Sequence, residues 1–324
     1  MQGAKIIVTG GAGFIGSAVV WRLDEMGRDD ILIVDRMDES DKWKNLAPLK
    51  FADYIEAVDF LDVIDDLGDV EAIFHLGACS STTERDADLM IRNNYQYTKE
   101  LAEWSVANDV RFIYASSAAT YGDGSAGMND GTKNLHHLRP LNIYGYSKHL
   151  FDQYAAREGM FDKIVGLKYF NVFGPNENHK GDMRSLVNKA FDQINSTGKL
   201  QLFKSHNPEY KDGEFGRDFV YVKDAVNMTL HFLEKDSSGL FNVGSGKMQT
   251  WNQLADAIFK ALDLPDNVEF VDMPEHLRDR YQYRTEADLT RLRDTGYADE
   301  PTTLDAAVAD YVRNYLIPGK HLGD

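Results

Sequence analysis

Tyr144 and Lys148, in the run Tyr144-Gly145-Tyr146-Ser147-Lys148, stand four residues apart, a spacing that puts both side chains on one face of a helix. An ammonium beside a phenol favours the phenolate, although a free phenol titrates near ~10. With an oxidised nicotinamide ring close by, such a tyrosine takes the proton from a substrate alcohol while hydride leaves the same carbon. Tyr121 and Tyr146 are competing phenols, but neither has a lysine four residues on. Ser117 follows the apolar run Phe112-Ile113-Tyr114-Ala115, which places its hydroxyl at the carboxyl end of a predicted strand, where it can bond the reacting oxygen. An exposed helix pair and a helix cap could use the same residues; their occurrence together favours catalysis.

A nucleotide site is written upstream, in Thr9-Gly10-Gly11-Ala12-Gly13-Phe14-Ile15-Gly16. Gly10, Gly13 and Gly16 are spaced three and three between a predicted strand and a predicted helix. The first permits the turn, the second lets backbone amides approach a pyrophosphate, and the third lets helix pack on strand. Phe14 and Ile15 belong to the same turn. Asp35 ends the second predicted strand, where a carboxylate accepts from adenosine ribose hydroxyls and favours NAD. Arg36 and Lys42 are cations suited to a 2′-phosphate and favour NADP, so both cofactors stay open. Asp59 could hold adenine edgewise, and Leu76-Gly77-Ala78 offers a close backbone approach to the cofactor.

These side chains need a scaffold, and the chain spells one. Short apolar runs at Lys5–Thr9, Ile31–Val34, Tyr54–Val58, Val70–Leu76, Val110–Ala115 and Ile164–Tyr169 alternate with helix-length segments, notably Leu89–Asn108 and Ile143–Arg157. That rhythm predicts an α/β fold, a Rossmann-type doubly wound parallel sheet. With 324 residues, beyond the roughly 250–300 at which cores split, two lobes are expected. We read residues 1–170 as a dinucleotide-binding domain and residues 171–324 as a smaller α+β substrate lobe with some segments returning to the first. The strand-like runs at 201–203, 219–222, 240–243 and 268–271 fall in that second half.

Composition limits the partners. Thirty-five Lys and Arg against 52 Asp and Glu leave a formal charge of −17, which opposes nucleic-acid and anionic-membrane binding. A single cysteine, Cys79, excludes an internal disulfide, and the nine histidines lack ligand spacing, so no metal site is expected. No apolar run approaches the ~20 residues of a membrane span. Residues 1 to 8 read directly into a strand rather than a signal peptide, and the cytoplasm is the expected location.

VTGGAGFIG, the Ser117/Tyr144/Lys148 set and Arg217-Asp218-Phe219-Val220-Tyr221-Val222 resemble the extended short-chain dehydrogenase/reductase superfamily. Four further stretches are similar to its ADP-L-glycero-D-manno-heptose 6-epimerase family: Gly77–Glu84 (GACSSTTE), Asn93–Tyr97 (NNYQY), Ala115–Gly122 (ASSAATYG), and Tyr169–Pro175 (YFNVFGP) with His179-Lys180-Gly181. The resemblance implies bound NADP or NAD, oxidation at C6″ of an ADP-heptose, and return of hydride to the opposite face, supplying a lipopolysaccharide precursor. It implies two proton carriers, Tyr144 and Lys180, and adds Ser80, Asn93 and His179 to the cofactor site. Toward the nucleotide sugar it implies Ser117, Asn171, Lys180, Asp182, Lys189, Phe203, Lys204, Ser205, His206, Arg217 and Tyr281, and it implies a homo-oligomer, a pentamer. The chain departs from the family pattern at Ala57, where a lysine is usual, and in a longer segment from His206 to Gly216. A UDP-hexose 4-epimerase and a non-catalytic cofactor-binding module are the competing readings. A dehydratase is disfavoured by Ala118-Ala119 after Ser117, where acids would be needed.

Overall fold

The computed structural model describes residues 5–278 and 281–324; residues 1–4, at the head of the segment read as entering the first strand, and Arg280, beside Tyr281, lie outside them. Twelve strands form three sheets. The largest takes β1 (Ile6–Thr9), β2 (Ile31–Asp35), β3 (Asp53–Glu56), β4 (Ala72–His75), β5 (Arg111–Ser117) and β6 (Val165–Tyr169). Beyond these come β7 (Asn171–Phe173), β8 (Leu200–Phe203), β9 (Gly216–Tyr221), β10 (Gly239–Val243), β11 (Met248–Thr250) and β12 (Val268–Val271). β10 completes the large sheet, whose order is β10-β6-β5-β4-β1-β2-β3, with every pairing parallel. The order reverses between β1 and β4, and ligands of such sheets bind outside the strand ends at that reversal.

Parallel strands covered on both faces read as continuous apolar runs, and β1, β2 and β4 are buried along their full lengths. Alternate side chains feed two cores. Ile6 and Val8 join Val19, Leu23, Val226 and Phe232 on one face, while Ile7 joins Leu101, Ala102, Phe151 and Ala155 on the other. The two small sheets, β11-β9-β7 and β12-β8, supply Asn171, Phe203 and Phe219 to the same cleft that the large sheet's loops line.

Most elements fall where hydrophobic periodicity predicts them, including the helix Ile143–Arg157, which Asn142 caps through its bond from Gly145 N. The run at 240–243, in the second half by sequence order, pairs with β6 through Gly239↔Val165 to Val243↔Tyr169 and so returns to the large sheet. The helix expected over 89–108 is built of Ala87–Met90, a wide π turn over Ile91–Gln96, and Tyr97–Ala107. Such turns collect at functional sites, and this one carries the buried Asn94.

The glycine turn is as tight as its spacing suggests. Gly10 is left-handed (φ +69°), and a methyl on Gly16 would sit 2.0 Å from Gly10 O. Gly16→Ala is therefore expected to pry helix from turn, lowering stability by at least ~2 kcal/mol through overpacking and abolishing nucleotide binding. Thermal unfolding and a nucleotide titration check this; a variant that matches the parent in both contradicts it.

Candidate active site

The turn opens onto a cleft of about 740 Å³. Its walls include Gly10, Gly13, Phe14, Ile15, Gly16, Asp35, Lys42, Leu76, Gly77, Ala78, Ser80, Ser117, Tyr144, Lys148, Asn171, His179, Lys180, Lys189, Phe203 and Tyr281. Residues from stretches as far apart in the chain as Gly10–Gly16 and Tyr281 thus converge at the sheet's reversal point. Ser40, Thr82, Met183, Arg184, Ser185 and Trp251 also line it, none of them singled out by sequence reasoning.

Eight expected site residues do not form the wall. Arg36 points outward with its side chain 54% exposed, 3.9 Å from Asp38. Asp59 is exposed at the start of the short Phe60–Val63 helix. Asn93 gives way to its neighbour Asn94, whose amide accepts from Cys79 N at 2.9 Å and donates to Cys79 O at 2.9 Å and Ser147 Oγ at 3.0 Å. One buried side chain thereby ties the loop after β4 to the helix of Tyr144. Asp182 is exposed, and its carbonyl accepts from Lys189 Nζ at 3.2 Å. Lys204 pairs with Asp272 at 3.2 Å, Ser205 Oγ donates to Asn207 O at 2.8 Å, and His206 Nε2 accepts from Met273 N at 3.3 Å. Ser205 is satisfied within the loop after β8, and Lys204 and His206 by the segment that follows β12. Arg217 is buried behind the wall, its guanidinium 4.9 Å from the Tyr281 ring and donating to Gly216 O at 3.0 Å. Register explains its inward course, because β9 is held between β7 and β11, with Arg217 opposite Gln249.

Ser117, Tyr144 and Lys148 line the same cleft, with electrostatics that differ from the expected acidified phenol. Burial pushes the Tyr144 phenol above its ordinary value, and a nearby Ser117 hydroxyl pulls it down. The chain alone therefore does not acidify its tyrosine. Lys148 is itself desolvated, brought to about 8 by burial against the opposing pull of Asp152. Its Nζ is buried and has no hydrogen-bond partner among the described residues. A buried ammonium left in that state calls for an external acceptor.

Lys180, on the wall of the same cleft, is also held below the ordinary lysine value by burial, with Glu177 pulling the other way, and its Nζ lies 5.1 Å from the Phe14 ring. Its loop is pinned firmly. Glu177 accepts from Ser185 N and Ser185 Oγ, and Asn176, at φ +76°, donates to Ser17 Oγ at 3.0 Å. Asn45 Nδ2 donates to Ala12 O at 3.0 Å and Asn176 O at 3.1 Å, joining the glycine turn to the loop of His179 and Lys180. At the adenosine end, Asp35 accepts from Ala12 N at 2.8 Å, Arg36 N at 2.7 Å and Lys42 Nζ at 2.9 Å.

A glycine cradle that a methyl would fill, beside an orphaned buried lysine, fits a dinucleotide whose pyrophosphate lies on the turn and whose sugar hydroxyls meet Lys148. Comparison with known proteins agrees: residues 6–244 match the model of the NAD dependent epimerase/dehydratase family. The chain belongs to that family. Among its relatives is an ADP-L-glycero-D-manno-heptose-6-epimerase of Nitratidesulfovibrio vulgaris, 52% identical over 96% of this chain and 97% of the relative. Another enzyme of that name, from Fusobacterium nucleatum, is 46% identical over 96% of this chain and 98% of its own. Among solved structures, the Helicobacter pylori ADP-L-glycero-D-manno-heptose-6-epimerase superposes with a TM-score of 0.81 at 27% identity, covering 96% of each chain. The family is one of NAD(P)-dependent epimerases, and no helix among the described residues is long and apolar enough to cross a membrane.

Proposed function

We propose that this enzyme interconverts ADP-D-glycero-D-manno-heptose and ADP-L-glycero-D-manno-heptose, acting in the cytoplasm on a precursor of lipopolysaccharide. The observation that carries the reading is the pair of candidate proton carriers, Tyr144 and Lys180, on walls of one cleft in a chain 46–52% identical to enzymes of that name. Epimerisation at C6″ requires oxidation to a ketone and return of hydride to the other face, so two acid/base groups are needed. A bound nicotinamide nucleotide supplies the reversible hydride transfer. Tyr144 and Lys180 handle the protons, Ser117 holds the reacting oxygen, and Lys148 holds the cofactor's sugar hydroxyls.

For the cofactor we infer NADP. Lys42 neutralises Asp35, removing the charge that would repel a 2′-phosphate, and Arg36, exposed on the rim beside Asp38, supplies a second cation for it. The family resemblance supports assembly as a homo-oligomer, a pentamer. Incubation with ADP-D-glycero-D-manno-heptose, with the two C6″ epimers resolved chromatographically, tests the reaction. No interconversion, together with turnover of a UDP-hexose, would replace it by 4-epimerisation. The nucleotide released on denaturation separates NADP from NAD.

A further inference from the structure

Four residues beyond Lys148, on the same stripe of the Ile143–Arg157 helix, lies a carboxylate to which no role has yet been given. Asp152 is wholly buried. Its Oδ1 accepts from Tyr114 OH at 2.7 Å; its Oδ2 accepts from Ser116 Oγ at 2.8 Å and Lys168 Nζ at 2.8 Å. Tyr114 and Ser116 come from β5, one of them adjacent to Ser117, and Lys168 from β6. Lys168 is fully buried as well, donates also to Thr120 Oγ1, and lies 4.8 Å from the Tyr121 ring. A buried ion pair is a costly way to hold two elements together, and apolar residues of similar volume commonly do as well. Its placement here points to another use. Each bond ends beside a residue of the catalytic trio: Ser116 next to Ser117, and Asp152 one turn from Lys148, two from Tyr144.

We propose that Asp152 is a positioning residue for the reaction: gripped from two strands, its carboxylate sets the helix of Tyr144 and Lys148 over Ser117 and supplies the counter-charge that Lys148 and Lys168 share. Loss of the carboxylate would leave two buried ammonium groups with no anion between them, and Lys148 would shed its proton at lower pH. The other titratable groups around this cluster are His149 on the same helix, Tyr114 of β5, Tyr121 in the turn after β5, and His75 of β4, which faces Lys148; Arg139 lies behind His149. His75 is neutral through the working range, held to about 3 by burial, so it does not substitute for the carboxylate.

The catalytic part of this inference rests on the proposed reaction, so the deciding readout is cofactor binding. NADP titrations followed by tryptophan fluorescence from pH 6 to 10 should show an affinity step absent from Lys148→Met. Asp152→Asn is expected to move that step down by about one unit, and to cut turnover of the loaded enzyme at least ~30-fold with KM for the nucleotide sugar within about threefold. Ser116→Ala, which removes one bond and no charge, should leave the step in place and lower turnover only several-fold. If Asp152→Asn does not fold, Lys168→Met retains the carboxylate for Lys148 alone and should move the step upward. A parental titration without the step, or an unmoved step in a folded variant, overturns the proposal. If the parental protein shows the step but does not turn over ADP-heptose, the substrate assignment fails and the role of Asp152 is still decided by the titration.

Discussion

Tyr144→Phe is expected to lower epimerisation at least ~10³-fold while leaving the cofactor bound, because it deletes one proton carrier and keeps the ring. The glycine turn, the Asp35–Lys42 pair and the orphaned Lys148 ammonium are all untouched by the substitution. In the chain alone, burial keeps this phenol above its ordinary value, so at neutral pH it carries its proton. A tyrosine in that state serves first as an acid or hydrogen-bond donor, and becomes a base only when positive charge accumulates beside it in the loaded cleft. The epimer ratio followed over time, with the nucleotide released by denaturation as control, makes the measurement. Turnover within tenfold of the parent would take Tyr144 out of the proton chemistry.

Lys180→Ala should be the second severe loss, at least ~10²-fold in kcat with KM for the nucleotide sugar changed only a few-fold, as expected for a group that acts in the transition state. Its Nζ makes no hydrogen bond among the described residues and is held below the ordinary lysine value by desolvation. Those are the conditions under which an amine becomes a usable base. The sign follows: the base form grows as pH rises toward the depressed pKa, so the rising alkaline limb of kcat should vanish in Lys180→Ala. Lys180→Arg separates this from phosphate pairing. A guanidinium stays charged at any working pH, so it would restore an electrostatic role and fail in a proton-transferring one. Full rescue by arginine, or a large rise in KM with kcat retained, would make Lys180 a phosphate ligand.

Features encoded by local spacing were legible in the sequence. Gly10 and Gly16 announce a turn whose tightness is steric, Ile143–Arg157 announces a helix, and four-residue spacing brings Tyr144 and Lys148 to one face. What escaped was long-range. That Asn94 rather than Asn93 turns inward is decided by the π turn, which apolar periodicity does not register. Asn45 and Asn176 meet from 131 residues apart, so neither reveals its partner. Arg217 reads as a phosphate ligand from its motif, but that β9 sets it buried against Tyr281 and Trp251 of the cleft wall is a matter of strand pairing that the motif does not announce. One signal was available and passed over. Lys168 sits inside the apolar run Ile164–Tyr169, and a lysine in a buried parallel strand must have a buried anion; Asp152 is that anion.

The late strand Gly239–Val243 carries a consequence for how the chain is made. When β6 has emerged from the ribosome, its outer edge faces solvent until residues 170–238 have followed, because the segment that covers it comes only then. At about 5–20 residues per second that interval lasts roughly 3–14 s, ample for a bare strand edge to find the wrong neighbour. Nascent chains stalled before Gly239 should therefore engage chaperones and self-associate, and release past Val243 should end both.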